Sequence, residues 1–483
     1  MTARQPAPLA FLPLGTRPVL AQFDGGAITS DAGALLLREV ADKTGLLRRF
    51  AACFTDHRDP ARTEHSVLDL VSQRVYGLAL GYEDLTDHDD LRHDPLLAVL
   101  VGKEDPAGQD RARDRDQGKA LAGKSTLNRL ELTPPGAGPG ARYKKVVAGC
   151  AAIADLLVET FVQAQPAPPA EVVLDLDATD DPLHGHQLGR FFHGYYRGYC
   201  YLPLYIFCGD HLLCAKLRPA DIDASAGAVR ELARIVAHLR RAWPGIRIII
   251  RGDSGFCREA LMAWCEAREV DYVLGLAKNA RLVAEITAEL EQARQQWLAA
   301  RQPARVFKDV AYRTRDSWSR ERRVVAKAEH LDKGANPRFV VTSLSPQRRA
   351  AHALYEDDYC GRGDMENRIK EQQLYLFADR TSCATMRANQ LRLYFSSVAY
   401  LLMAALRRHG LTGTALAGAQ CQTIRQKVFK VGAWVRVTVR RVWLALSQSY
   451  PHQAVFAQVL ANVRGMAAYR WPAGARATEG GSG

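Results

Sequence analysis

Between Thr29 and Leu47 apolar residues recur every three or four positions. Leu35, Leu36 and Val40 fall on one helical face, with Thr29, Ser30 and Asp31 ahead of them as capping candidates. The stretch EHSVLDLVSQRVYGLALGYEDL, Glu64 to Leu85, repeats the pattern and predicts a second amphipathic helix. The charged run GKEDPAGQDRARDRDQGKALAGK, from Gly102 to Lys124, has no such period and predicts a loop. Residues 1–165 therefore read as a mainly helical region, closed by the Pro/Ala linker AQPAPPAE at 164–171.

Beyond the linker the period changes. EVVLDLDATDD predicts a strand ending in acids, and YLPLYIFCGDHLLCAKLRP a hairpin around Gly209 and Asp210. The helix SAGAVRELARIVAHLRRAWPG, the strand IRIIIRGDSGF, the helix REALMAWCEARE and the strand VDYVLGLAKN follow. Strands alternating with helices predict an α/β sheet over 166–280. Residues 281–355 hold a polar helix and then the strand-like runs ARVFKDVAYRT, RRVVAKAEH and RFVVTSL, which predict a β-rich insertion. Residues 356–410 return to helices, GDMENRIKEQQLYLF and MRANQLRLYFSSVAYLLMAALRR. From 411 to 483 the run RQKVFKVGAWVRVTVRRVW alternates apolar with basic residues and predicts a strand pair with a cationic face; the final ATEGGSG predicts disorder.

Composition narrows the class. The chain has 483 residues, 47% hydrophobic and 24% charged, as in a globular protein of two or three domains. A net charge of +13 suits a polyanionic partner, nucleic acid first. Ten scattered cysteines without a C-x-x-C pair exclude a zinc ribbon or a secreted disulfide framework. The N-terminus lacks a signal-peptide layout, and the longest apolar run, Leu393 to Leu406, is too short to span a bilayer and reads as a core helix. A soluble, cytoplasmic protein without a membrane partner is the expectation.

Two motifs compete with that reading. Gly118 to Ser125 spells G-x-x-x-x-G-K-S, the letters of a nucleotide-binding P-loop. Such a loop needs a buried strand ahead of it, and DRARDRDQ cannot be one. A surface loop entering a helix at STLNRLE, capped by Ser125 or Thr126, is expected instead, with Lys124 and Arg129 able to meet a backbone phosphate and no nucleotide cofactor. In DLTDHDDLRHDP, Asp87, His88, Asp90 and His93 resemble metal ligands, but a turn feeding a helix start explains them better.

Three acids stand out by position. Asp177 ends the strand VVLDLD, Asp253 follows the strand IRIIIRG, and Glu366 lies in YCGRGDMENRIKEQQ. Active residues of α/β sheets collect at strand carboxyl ends. Three carboxylates can hold two Mg2+ ions roughly 3.5–4 Å apart, with Mn2+ as a substitute, for phosphodiester chemistry without ATP. Capping and ion pairing are the competing explanation for each acid taken alone. Asp180, Asp181, His184 and His186 crowd the loop after Asp177 and fit ordinary turn chemistry as well as site or DNA contacts.

These acids, in this order, resemble the bacterial insertion-sequence DDE transposases with a ribonuclease H-like core. LDLDATD resembles the first-Asp motif, which places that role on Asp177 rather than Asp175, and RGDSGF the second, which places it on Asp253. The Y-R-E-K signature is matched by Tyr359, Arg362 and Glu366, while Gln373 stands at the final Lys position and Lys370 lies one turn before it. From 177 to 253 is 76 residues and from 253 to 366 is 113, room for the β-rich insertion. FDGGAITSDAGALLLRE, GYEDLTDHDDLRHDP, STLNRLE and FADRTSCATMRANQLRLYFSSVAY extend the likeness to the insertion-sequence family numbered thirteen-eighty. Positions 359, 362, 366, 370 and 373 would share one helical stripe, with Gly361 and Gly363 weakening the first turn so that Tyr359 can sit before the helix proper, while Met365, Ile369 and Leu376 would pack on the sheet.

The resemblance implies a Mg2+-dependent cut-and-paste transposase in which Arg362 and Lys370 grip phosphates and Tyr359 stacks on a displaced base. It implies terminal inverted repeats and target DNA as double-stranded partners, a homodimer, a hairpin intermediate, a short AT-rich target such as TTAA, and a bacterial, nucleoid-associated location. The helical N-terminal region and the basic C-terminal strands would supply DNA affinity. The rival is a catalytically silent, transposase-derived DNA-binding protein.

Overall fold

The computed structural model describes residues 7–471 and is a mixed α/β structure. It opens with a hairpin, β1 (Leu9–Leu14) against β2 (Arg17–Ala21), whose residues are all exposed. The N-terminal helices are α1 (Leu35–Thr44), α2 (Leu46–Ala52), α3 (Val67–Leu80), α4 (Pro95–Val101), α5 (Lys124–Glu131) and α6 (Cys150–Gln163). Local chemistry sets their starts. Ser66 and Asp69 form a reciprocal capping box on α3. Asp94 caps α4 ahead of Pro95, and its carboxylate accepts the Leu96 N–H at 2.7 Å. At α1 the expected caps do other work: Thr29 pairs in a short strand with Ala433, and a 3-10 turn at Ala32–Ala34 leads into the helix.

The sheet follows the Pro/Ala linker. Its elements are β3 (Glu171–Ala178), β4 (Leu204–Cys208), β5 (His211–Lys216), α7 (Ala228–Ala242), β6 (Arg247–Gly252), α8 (Glu259–Ala267), β7 (Asp271–Leu276), α9 (Thr287–Ala300), β8 (Ala304–Tyr312), β9 (Arg322–Leu331) and β10 (Arg338–Thr342). The strand order is β5-β4-β3-β6-β7-β10-β9-β8. β3, β6 and β7 are parallel neighbours, with Leu176 opposite Gly252 and Gly252 opposite Leu274. β4 runs antiparallel to β3, and β10 antiparallel to β7. The strands read as an insertion thus continue the same sheet rather than forming one of their own.

Two helices follow the sheet in the chain: α10 (Gly363–Leu376) and α11 (Met386–Ala405). α11 is buried along nearly its whole length and joins the N-terminal helices in the larger core, as its apolar composition requires. Among the described residues, no helix is long and apolar enough to cross a membrane. The tail holds β11 (Ala433–Thr438), β12 (Arg441–Leu446) and α12 (Gln453–Gly465). β11 pairs with Ile28 and Thr29, so the tail packs on the start of the chain. RQKVF, expected as strand, is a wide helical turn at Arg425–Phe429, and ATEGGSG lies outside the described residues.

Candidate active site

The parallel pairing of β3 and β6 brings their carboxyl ends side by side, and Asp177 and Asp253 leave the sheet there. Asp253 shapes its own turn, accepting the Gly255 N–H at 2.8 Å. Gly275 on β7 makes room beside it. A Cβ at 275 would lie 2.6 Å from the Tyr359 hydroxyl and 2.9 Å from the Ser254 nitrogen, so only glycine lets the three segments close up. Asp175, two residues before Asp177, has another partner: it is ion-paired with Arg251 across the strand pair, Nη2 to Oδ2 2.8 Å. Arg251 also donates to the Asp358 carbonyl and so fastens the segment ahead of α10 to the sheet.

That segment is irregular. A wide turn at Leu354–Tyr359 and a 3-10 turn at Cys360–Arg362 precede α10, a kind of distortion that recurs at functional sites. Tyr359 therefore stands before the regular helix, its ring 5.5 Å from that of Tyr355. Arg362 donates to Glu366 at 3.0 Å and lies 3.7 Å from Asp177. Met365, Ile369 and Leu376 are buried in the core that α11 occupies, and Lys370 is exposed. Burial pushes the Asp177 carboxyl up to about 6; the Arg362 guanidinium opposes the rise, and the charges of Asp253 and Glu366 add to it. The three acids thus sense one another through space with one guanidinium among them.

Among the described residues, no three His, Cys, Asp or Glu side chains already stand as a cation cage. The chemistry of the donor set nonetheless fits a hard divalent cation: three carboxylates, no thiol or imidazole, and a mutual repulsion that a positive charge relieves. Arg362 now supplies that charge.

The position expected to hold Lys carries a pairing that local sequence could not reveal. Gln373 donates to the buried Asp181 at 2.9 Å and to the Asp180 carbonyl at 3.1 Å, from 192 residues away in the case of Asp181. Burial pushes Asp181 up to about 8. Asp181 therefore keeps its proton in the folded chain until about pH 8 and loses it near pH 4 when unfolded, so stability falls as pH rises through that window. Asp181→Asn keeps the acceptor for Gln373 and removes the titration. Its denaturation midpoint should fall less than the wild type's between pH 5 and 8.5, leaving the variant more stable at pH 8 by roughly 1–3 kcal/mol. Parallel pH profiles would show that Asp181 is ionised in the fold. His184 and His186 on the same loop are exposed.

Both competing motifs resolve into one packing detail. α5 starts at Lys124 with Gly123 as N-cap, and neither Ser125 nor Thr126 caps it. The Asp89 carboxylate takes the Lys124 N–H at 3.0 Å and its ammonium at 3.3 Å, so a protein carboxylate sits where a P-loop would hold phosphate. His88 is buried against Gln73, 3.1 Å from its amide nitrogen.

Comparison with known proteins finds a family and similar solved structures. The family model described as Transposase DDE domain group 1 matches residues 11–468. A cryo-EM structure of a piggyBac transposase synaptic complex with hairpin DNA is similar at 12% identity and a TM-score of 0.40, over 83% of this chain and 80% of that one. That likeness is too loose to carry residue roles across. No curated protein matches the chain.

Proposed function

The chain belongs to the Transposase DDE domain group 1 family, and we propose that it cuts and joins DNA at transposon ends with Asp177, Asp253 and Glu366 as its catalytic carboxylates. The supporting observation is the meeting of three acids from two strand ends and one helix, close enough for Asp253 and Glu366 to raise Asp177. The sheet order β5-β4-β3-β6-β7, with a central parallel trio and an antiparallel hairpin on one side, supports a ribonuclease H-like core.

Two Mg2+ ions held by these carboxylates, replaceable by Mn2+, would activate water or a 3′-hydroxyl and stabilise the leaving oxygen. The chain's own residues do the rest. Glu366 must exchange Arg362 for that role, and the freed guanidinium is then placed to grip the scissile phosphate beside Asp177. Lys370 is exposed for a flanking phosphate, and the half-buried Tyr359 would stack on a displaced base. Two copies would synapse two ends, nick one strand, and open the other through a hairpin.

The test is incubation with DNA carrying the element's ends and Mg2+, without nucleotide, with cleavage mapped on both strands. A nick at the transposon end, followed by a double-strand break, is expected. The second reading, a catalytically silent DNA-binding descendant, draws on the Arg362 bridge between Asp177 and Glu366. DNA binding without cleavage in either Mg2+ or Mn2+ would establish it.

A further inference from the structure

A second charged site lies among the N-terminal helices. The loop of 102–124, the start of α5 and the residues around Arg142 enclose a cleft of about 500 Å3. Ten Lys or Arg side chains line it against four carboxylates, an excess of six in a chain whose net charge is +13. Nothing in the proposed chemistry uses these groups.

Arg58, Arg62, Arg111 and Arg115 are ion-paired with Asp56, Asp59, Glu64 and Asp116, and the other six cations of the lining have no carboxylate partner among the described residues. The guanidinium groups of Arg129 and Arg142 lie 5.0 and 4.9 Å from the Tyr143 ring, which orients them and leaves their donors free. Arg113 and Lys145 make no ion pair among the described residues. Two polar atoms in the lining also lack partners. His65 is 7% exposed with Nδ1 unbonded, and Arg111, paired with Glu64 through Nη2, has Nε unbonded. A buried polar atom without a partner is costly unless a ligand completes it.

We infer that this cleft binds the phosphodiester backbone of DNA, as a clamp separate from the candidate active site. Its volume is that of a small-ligand pocket, too small for a duplex but sufficient for a short run of one strand's phosphates. A free nucleotide offers the same phosphate chemistry, but the seat at the G-x-x-x-x-G-K-S loop is filled by Asp89. Contacts to phosphates alone make the binding sequence-independent and salt-sensitive. The inference rests on the DNA-processing reading of the chain and adds a partner surface to it.

The test is fluorescence anisotropy of the full chain with a 30-base-pair duplex across a salt series. The variant Arg113→Gln/Arg142→Gln/Lys145→Gln removes three cations. Affinity near 0.1 M salt should weaken by about tenfold or more, and the slope of log affinity against log salt should become shallower by about two to three, at an unchanged melting temperature. Removing three exposed cations elsewhere, Arg241→Gln/Arg315→Gln/Lys333→Gln, should change the slope by less than about one. ATP at millimolar concentration should not displace the duplex. A wild-type slope in the cleft variant, an equal loss in the control variant, or displacement by ATP would overturn the inference. If wild type binds and cleaves DNA in those cases, the transposase reading stands alone; if wild type binds no DNA, both fall.

Discussion

Asp253→Asn is expected to lower DNA cleavage by on the order of a thousandfold or more while leaving DNA affinity within about twofold, as for one member of a group of residues that act as a unit. The substitution is chosen because Asp253 has two separable jobs. Its carboxylate caps the Ser254–Phe256 turn through the Gly255 N–H, and an Asn oxygen accepts that bond equally well. The fold at the end of β6 is therefore kept. What disappears is a negative charge beside Asp177, and with it one of three oxygen donors suited to a divalent cation. DNA binding should hold or tighten slightly, because a charge that repels phosphate is gone. The measurement is single-turnover nicking of an end-bearing duplex, with anisotropy on the same preparation. Cleavage within about tenfold of wild type would end the assignment of these acids.

The halves of this site differ in how legible they are in the chain. Asp177 and Asp253 follow runs of β-branched and aliphatic residues, and a parallel sheet gathers strand ends at one edge, so two acids at two such ends announce themselves. Glu366 is singled out by resemblance, through the family signature it shares with Tyr359 and Arg362, and the wide turn at Leu354–Tyr359 sets Tyr359 ahead of the regular helix, as Gly361 and Gly363 suggest. Choosing Asp177 over Asp175 rests on resemblance; the structure adds that Asp175 is committed to Arg251.

The remainder is long-range. Alternation in Ala304–Tyr312 and its successors marks strands but carries no information on which edge they join, and they extend the sheet through β10 against β7. The Gln373–Asp181 pair and the capping of α5 by Asp89 link residues far apart in the chain, so neither leaves a local signature. Gly275 is one of 37 glycines, and only the approach of Tyr359 and Ser254 sets it apart.

Glu131→Ala should cost about 3–5 kcal/mol of stability, as expected when one partner of a buried ion cluster is removed. Glu131, the last residue of α5, accepts from Arg74 of α3 at 3.2 Å and from Arg392 of α11 at 2.7 Å. Its side chain is 1% exposed and those of the two arginines 4% and 12%. The alanine leaves two guanidinium groups facing each other, away from water, with only neutral acceptors: the Glu83 carbonyl for Arg74 and the Ser382 hydroxyl for Arg392. Removing all the charge is a different experiment. Arg74→Met/Glu131→Leu/Arg392→Met should lie within about 1–2 kcal/mol of wild type, because the desolvation penalty leaves with the attraction. Chemical denaturation of both variants separates the cases. A cost below about 1 kcal/mol for Glu131→Ala would mean that the cluster behaves as a surface pair and is wet. The distinction matters because α11 is buried on nearly every side, so its few polar contacts help to fix its rotation about its own axis. The Arg392–Glu131 bond, with Gln390 bonded to the Leu217 N–H and the Ala215 carbonyl, selects one rotation. The triple variant keeps the Gln390 bonds and those of Asn389 to Cys383, so it should keep both its stability and the near-ultraviolet circular dichroism of a single packed seat.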